Sequence, residues 1–238
     1  MTRIVIPNQS TNLAIAMSVR NAWIQALVFT ILLIIPYREV MAIETPGYIV
    51  LDKQDDFEIR QYEPRIVAEV SVDGDIDEAS GSGFRLLADY IFGSNRISDE
   101  QKANTHSDEN NAKIAMTAPV TVEPLVFKSN LAESNAWRVE FTMPSQYDLK
   151  TLPKPINNSI RIRQIPTTFY AVITYSGMNT AQRINKETLK LLSWIEQKNI
   201  QAIGTPELAR YNPPWTLPLF RRNEILVPIN REAQSTAR

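Results

Sequence analysis

The sequence of 238 residues predicts an α+β fold, a strongly curved or closed antiparallel sheet with two helices on its outside. The main observation is an internal repeat, because residues 59–74 align without gaps on residues 162–177. Each copy has the pattern of a strand, a proline-marked turn, a second strand and a closing glycine. A single β-α-β-β unit leaves an unpaired sheet edge. The two units, about 48–145 and 156–230, are therefore expected to share one sheet.

Before the first unit, the N-terminal 42 residues differ from the rest of the chain. Residues 22–35 are nearly all apolar, and roughly fourteen residues suit a signal-peptide core better than a membrane helix of ~20. Val40 and Ala42 have side chains small enough for a cleavage site, so processing is predicted after Ala42. An uncleaved membrane anchor is the alternative. The sequence thus predicts a signal peptide over 1–42 and one exported, periplasmic domain over 43–238.

Each unit continues with one helix and two strands. The helices are expected at 77–92 and 180–198, and the strands at 112–122 and 137–143, then 207–211 and 223–229. A polar, aperiodic insertion occupies residues 94–111. The second helix has an apolar stripe of ordinary width, with Asn179 or Thr180 as its N-cap. It is therefore expected to pack on the sheet.

The first helix is apolar over a wider surface. Its apolar residues cover an arc of roughly 240°, more than twice the width that packing on a sheet requires. Something besides the sheet, either a ligand or the insertion, is expected to cover the side formed by Phe84, Ala88 and Phe92. Gly81 and Gly83 in the opening turns cost helix stability, about 1 kcal/mol each, but let a flat object approach the backbone.

A stiff loop precedes the last strand. Pro213, Pro214 and Pro218 fix φ and remove amide donors, so residues 211–222 cannot be the interior of a helix. Four large apolar residues lie on this loop: Trp215, Leu217, Leu219 and Phe220. Either they cover the end of the core or they line a site.

Composition argues against several classes of site. A net charge of −1 without a basic stripe gives no reason to expect a nucleic-acid partner. The absence of cysteine excludes disulfides and thiolate metal sites. The single histidine, His106, lies in the polar insertion, so no catalytic constellation is recognised.

Three segments together resemble the SOUL haem-binding protein family: residues 113–120 (Lys-Ile-Ala-Met-Thr-Ala-Pro-Val), 211–215 (Tyr-Asn-Pro-Pro-Trp) and 221–224 (Arg-Arg-Asn-Glu). Residues 59–62 and 84–93 match the same pattern, so the resemblance extends over about 48–229. It implies a distorted β-barrel of two β-α-β-β repeats with two flanking helices, a fold shared with bacterial effector-binding domains. It also implies non-enzymatic tetrapyrrole binding beside the first helix, under the last hairpin loop.

The resemblance also implies the residues of the site. They are Gly81, Phe84, Arg85, Ala88, Trp215, Thr216 and Leu217. The two family positions thought to face the haem propionates fall on Gly81 and Thr216, which are uncharged, so Arg85 or the Arg221 and Arg222 pair would have to replace them. The implied cofactor is non-covalent haem. Met116 is a candidate soft iron ligand, although a strand methionine is more often a core residue.

Two other functions stay open from the sequence. One is a module that binds other flat hydrophobic or cationic molecules, which an unpaired buried glutamate would favour. The other is a hydrolase with a glutamate as general base, which requires a perturbed carboxyl pKa. The candidate glutamates are Glu123, Glu140 and Glu224. Glu224 is also interpreted as the ion-pair partner of Arg221 and Arg222 at a strand start. Membrane contact is expected only through the N-terminal segment, if it is not cleaved.

Overall fold

A computed structural model describes residues 43–97 and 110–230. The described strands are β1 (Tyr48–Gln54), β2 (Phe57–Tyr62), β3 (Arg65–Asp73), β4 (Asn95–Arg96), β5 (Val120–Pro124), β6 (Ala136–Thr142), β7 (Lys154–Pro155), β8 (Arg161–Ile165), β9 (Thr168–Tyr175), β10 (Gln201–Ala202), β11 (Glu207–Arg210) and β12 (Asn223–Asn230). The described helices are α1 (Ile76–Phe92) and α2 (Ala181–Gln197). The predicted signal peptide, its cleavage site after Ala42 and His106 lie outside the described residues.

Ten strands form a single curled sheet, in the order β1-β2-β9-β12-β11-β5-β6-β3-β8, with β10 paired to β12. Its strand pairs are antiparallel. The strands follow in a corresponding order on the two sides of the β5–β11 contact, as β5-β6-β3-β8 and as β11-β12-β9-β2. β2 pairs with β9, and β8 pairs with β3, so each half of the chain completes the other half's sheet. The path ends at β1 and β8, which makes the sheet a half-barrel instead of a closed barrel. The predicted α+β fold is confirmed, while the internal repeat stays a prediction.

Helix α1 begins at Ile76 because Asp75 caps it. The Asp75 Oδ1 atom accepts hydrogen bonds from the backbone N–H groups of Asp77 and Glu78, each at 2.9 Å. Gly83 faces β6, where a Cβ atom would lie 2.5 Å from a Val139 methyl carbon. Glycine at this position therefore allows the helix backbone to approach the sheet closely.

The second helix matches its prediction. The Thr180 side chain accepts a hydrogen bond from the Arg183 N–H at 3.2 Å, which makes it the N-cap. Ile184, Leu191 and Ile195 are buried against the sheet and its neighbouring segments. The narrow apolar stripe thus packs as its width indicates.

The strand predicted at 112–122 begins only at Val120. The backbone N–H groups before it have partners outside the main sheet: Ala112 donates to the Asn95 side chain, Ile114 to the Ile91 carbonyl and Ala118 to the Glu44 carbonyl. Because these donors are already used, residues 112–119 cannot form a regular ladder. The start of the predicted insertion is also ordered, since β4 pairs with β7.

Buried residues form two clusters, one on each face of the sheet. The main core lies between the sheet and the two helices and includes fully buried Leu87, Trp137 and Leu191. The opposite face carries a smaller cluster built on Tyr62 and Tyr170, with charged side chains around it.

Candidate functional site

Helix α1 leaves part of its apolar surface exposed. Phe84 is 41% exposed and meets the Phe141 ring edge-on, at 5.4 Å between centroids, while Phe92 is more exposed still. Ala88, expected on the same open side, is buried. The chain itself covers another part of the wide arc, because Tyr90 donates to the Pro153 carbonyl at 2.7 Å. Only the surface around Phe84 and Phe92 therefore remains for another partner.

The backbone beside Phe84 is open at Gly81. A Cβ atom there would meet only the Arg85 guanidinium, at 3.7 Å. Arg85 is exposed and donates one hydrogen bond, of 3.1 Å, to the Ser82 hydroxyl. An accessible guanidinium, an open helix backbone and an aromatic ring thus lie within one turn of α1.

The proline-rich loop projects its apolar side chains into solvent. Trp215 is 82% exposed, and the exposed fractions of the other three large side chains lie between 66% and 75%. The alternative that this loop covers the core is therefore wrong. Its shape is fixed by hydrogen bonds, since Thr216 N–H donates to the Pro213 carbonyl at 3.0 Å and Gly177 N–H to the Pro218 carbonyl at 3.0 Å.

The two arginines after the loop are already engaged. Arg221 Nε donates to the Thr216 carbonyl at 2.7 Å and so stabilises the loop. Arg222 pairs with Glu224 at 2.7 Å and lies over the Tyr211 ring, 4.0 Å from its centroid. The expected role of this pair in holding propionates is therefore not supported, and Arg85 remains as the accessible guanidinium on α1.

The predicted ion pair of Glu224 needs correction as well. Its carboxylate pairs with Arg222 and with buried Arg60, at 2.9 Å, whereas Arg221 turns to the loop. Burial alone would raise the pKa of the Glu224 carboxyl, but hydrogen bonds and the charge of Arg60, with those of Arg222, hold it below its usual value. Tyr211 also donates to Glu224 at 2.7 Å. The members of this network have hydrogen-bond partners, which indicates a structural role.

The other two candidate glutamates are paired too, Glu123 with Arg138 and Glu140 with Arg163. Burial raises the pKa of Glu140 to about 7, against the attraction of Arg163. No glutamate nominated from the sequence is therefore an unpaired buried anion. The hydrolase alternative stays untested, although the perturbed pKa of Glu140 meets its first requirement.

Sequence reasoning missed Glu207 on β11. Burial, together with the nearby charges of Glu140 and Glu123, raises the pKa of Glu207 to about 8. Its hydrogen bond within the described chain comes from the Tyr170 hydroxyl at 3.5 Å. Strand alternation places Glu207 on the same face as Ala209. Its acidic neighbours come from other strands, so no local pattern could have identified it.

The described structure links α1 to the loop at one point. Arg210, the last residue of β11, pairs with Asp77 in the first turn of α1 at 3.1 Å. No described hydrogen bond or ring contact joins Trp215 or Leu217 directly to Phe84. The predicted site residues thus form two apolar surfaces whose supporting elements are tied together at the helix start.

Two depressions in the structure lie away from these surfaces. One of about 450 Å³ is bounded by residues 44–47, the β2–β3 turn and residues 142–150. A broader one of about 780 Å³ lies along α2. Neither is lined by Phe84, Arg85 or Trp215.

Metal and membrane features can be stated for residues 43–97 and 110–230. No cluster of three or more His, Cys, Asp or Glu side chains there could hold a metal ion. Met116 is half-buried and packs against the main core. Within the same residues, no helix combines the length and the apolar character needed to cross a membrane.

Comparison with solved structures shows the fold. A cryo-EM structure of an EcmrR–DNA complex is 12% identical, with a TM-score of 0.50, and covers 92% of this chain and 69% of that one. The EcmrR C-terminal domain is 13% identical, with a TM-score of 0.46, and the match covers 73% of this chain and 96% of that one. A hydrolase from Listeria innocua is 9% identical, with a TM-score of 0.48, and the match covers 76% of this chain and 94% of that one.

Comparison with protein families is more specific. A search of curated proteins found no match. The family model described as SOUL heme-binding protein matches residues 43–228, which is most of the chain and includes both helices and nearly the whole sheet. The chain therefore belongs to the SOUL heme-binding protein family.

Proposed function

We propose that this domain binds haem or a related tetrapyrrole non-covalently, as a carrier or sensor without catalysis of its own, on the surfaces of α1 and the proline-rich loop. The observation that carries the proposal is Trp215, a large aromatic side chain held 82% exposed on a hydrogen-bonded loop. Trp215 is one of four large apolar side chains exposed on this loop, and a contiguous apolar patch of this kind is typical of an interaction site. Membership of a haem-binding family supports a flat porphyrin as that partner.

The macrocycle would contact apolar groups on both surfaces. Phe84 and the backbone at Gly81 would lie against one face, with Ala88 beneath, while Trp215 and Leu217 would cover the other. Covering one such aromatic side chain is worth about 1–3 kcal/mol, so apolar burial would supply most of the affinity. Because no described hydrogen bond or ring contact joins Trp215 or Leu217 to Phe84, closing the two surfaces on the ligand is part of the proposal.

A single cation would orient the ligand. Arg85 is the exposed guanidinium beside Phe84, and its bond to the neutral Ser82 hydroxyl, the one that the described residues show, leaves further donors for a propionate. Thr216 uses its N–H and carbonyl within the loop, so only its side chain would face a propionate. A charge-assisted bond to an exposed arginine contributes little, about 1 kcal/mol, and would favour porphyrins that carry carboxylates.

Haemin titration tests the proposal directly. The compact unit Ile43–Arg238 contains the described sheet and both helices, and it is the form to titrate beside the full chain. Binding should shift the Soret band and quench tryptophan fluorescence with a saturable curve. No saturable change at micromolar haemin would contradict the proposal. Arg85→Gln is the selectivity variant, expected to weaken haemin binding but not the binding of a porphyrin without carboxylates.

The second candidate is a module for other flat hydrophobic or cationic molecules. Glu207 favours it, because this carboxyl has a weak hydrogen bond from Tyr170, and the charges of Glu140 and Glu123 act on it against that of Arg65. Equal displacement of a fluorescent porphyrin by haemin and by a carboxylate-free dye would support this candidate. If haemin and the dye no longer displaced the porphyrin equally in Glu207→Gln, the cation would be assigned to the sheet face that carries Glu207.

We further propose that the domain is exported to the periplasm. The support is the apolar segment 22–35, followed by Val40 and Ala42, whose side chains are small enough for a cleavage site. Intact-mass measurement of the protein from its own host should give the mass of residues 43–238. The mass of the whole chain in the membrane fraction would instead indicate an uncleaved anchor.

A further inference from the structure

The loop exposes more apolar surface than a flat ligand needs. Leu219 and Phe220 are 75% and 69% exposed, and neither belongs to the proposed tetrapyrrole surface. They lie on a 3-10 turn, Pro218–Phe220, on the arm of the loop that follows Leu217. Met178 is also exposed and follows Gly177, which is bonded to Pro218. A second apolar surface therefore continues from the loop towards the start of α2.

This surface is built into the fold and is not a frayed segment. Phe220 N–H donates to the Leu217 carbonyl at 2.9 Å, and Arg221 Nε donates to the Thr216 carbonyl at 2.7 Å. The prolines restrict the backbone further. Because the loop is already ordered, inserting its side chains elsewhere would cost little additional conformational entropy.

The composition of the loop fits a lipid surface. Tryptophan beside leucine and phenylalanine is typical of segments at the boundary between lipid headgroups and acyl chains. Arg221 and Arg222 stand at the foot of the loop, where their bonds to the Thr216 carbonyl and to Glu224 hold it in place. The apolar tip is therefore held out from the domain on a supported base, as a membrane-inserting loop requires.

The course of the chain adds an independent reason. The first described residues lie near β11, the strand that leads to the loop. The Glu44 carbonyl accepts a hydrogen bond from the Ala118 N–H at 2.8 Å, and nearby Val120 pairs with Arg210, the last residue of β11. The residues before Ile43 include the apolar segment 22–35, with the composition of a signal or anchor. In the alternative in which this segment is kept as an anchor, it joins the domain through Ile43, near the strand that leads to the loop.

We propose that Leu219 and Phe220 insert into the interfacial layer of a lipid bilayer. This contact is additional to any made by the N-terminal segment, and it does not depend on what the site binds. A loop in the bilayer would also give an apolar ligand a route between the lipid and the surface of α1.

A single-cysteine label tests the insertion in the full chain, because the sequence contains no cysteine. Leu219→Cys carries an environment-sensitive nitrobenzoxadiazole probe, and Leu189→Cys, an exposed leucine on α2, is the matched control. With vesicles of phosphatidylcholine and phosphatidylglycerol, emission from position 219 should shift to the blue and resist iodide quenching, whereas position 189 should stay accessible. A probe at 219 that iodide quenches equally with and without vesicles overturns the proposal. A concentration-dependent shift without lipid also overturns it, since it would assign the surface to a second copy of the chain.

A double variant separates this proposal from the ligand site. In the unit Ile43–Arg238, Leu219→Ser with Phe220→Ser should reduce vesicle partitioning about tenfold or more, since two apolar side chains no longer enter the lipid. Haemin affinity should be unchanged. If the wild-type unit binds haemin but not vesicles, the membrane proposal fails alone. If it binds vesicles but not haemin, only the proposed ligand fails.

Discussion

Truncation of Trp215 separates a ligand-binding role from a role in folding. Less than a fifth of this side chain is buried, so Trp215→Ala removes on the order of 50 Å² of buried apolar surface, worth about 1 kcal/mol at most. If a porphyrin covers the exposed remainder, the same variant should weaken haemin binding by about 1–3 kcal/mol, or roughly 5-fold to 150-fold. The loss should therefore appear mainly in affinity.

Phe84, on α1, is expected to respond to truncation differently from Trp215. More than half of this side chain is buried, and its ring packs edge-on against Phe141. Phe84→Ala should therefore lower the free energy of unfolding by about 2–4 kcal/mol as well as weaken haemin binding. The sequence alone gives no reason to separate these two aromatic residues.

Urea unfolding and haemin titration of the same preparations measure both quantities. Leu191→Ala is the control, because Leu191 is a fully buried residue of α2, a helix that takes no part in the proposed site. It should cost about 2–5 kcal/mol of stability and leave haemin affinity intact. If Trp215→Ala instead lost more than about 3 kcal/mol of stability with its affinity unchanged, the loop would pack on the core in solution and the proposed site would be misplaced.

Three further predictions concern buried charge and helix packing. Glu224→Gln should cost about 1–3 kcal/mol in urea unfolding, because Arg60 stays buried with a weaker partner at this position but keeps its ion pair with Glu58 at 2.6 Å. It should also remove the acid sensitivity of a carboxyl whose pKa is lowered in the folded state, since such a group loses its stabilisation as the pH falls. Glu207→Gln should have the opposite pH signature: a carboxyl raised from 4.5 to about 8 makes the wild type lose stability as the pH rises through that range, and the variant should lose less. Gly83→Ala should destabilise the protein by about 1–3 kcal/mol because its Cβ would overlap β6, whereas Gly81→Ala should stabilise it by up to about 1 kcal/mol. Equal melting temperatures for the two glycine variants would contradict that packing.

Local patterns were sufficient for most elements of the fold. Helix α2 agrees with its 3.6-residue apolar stripe, and β12 follows the alternation read after the proline-rich loop. The stiffness of that loop could also be predicted, because proline restricts φ whatever surrounds it. The family segments gave the architecture, which the curled antiparallel sheet and the two helices confirm.

Contacts between distant segments decided the rest. Residues 112–119 look like a strand, yet their amide donors are taken by Asn95, Ile91 and Glu44, which only folding brings close. The wide apolar arc of α1 predicted a ligand or an insertion as its cover, but Tyr90 shows that residues near Pro153 cover part of it.

Charge partners depended on the tertiary structure in the same way. Arg221 and Arg222 are adjacent in sequence to Glu224 and look equivalent, but one bonds to loop carbonyls and the other to the carboxylate. The second partner of Glu224 is Arg60, 164 positions away. Sequence patterns report the preferences of neighbouring residues, such as helix, strand or rigid loop. Which buried charge finds a partner, and which aromatic side chain stays in water, is decided by the pairing of strands that are remote in the chain, because only that pairing sets the distances over which charges and apolar surfaces interact.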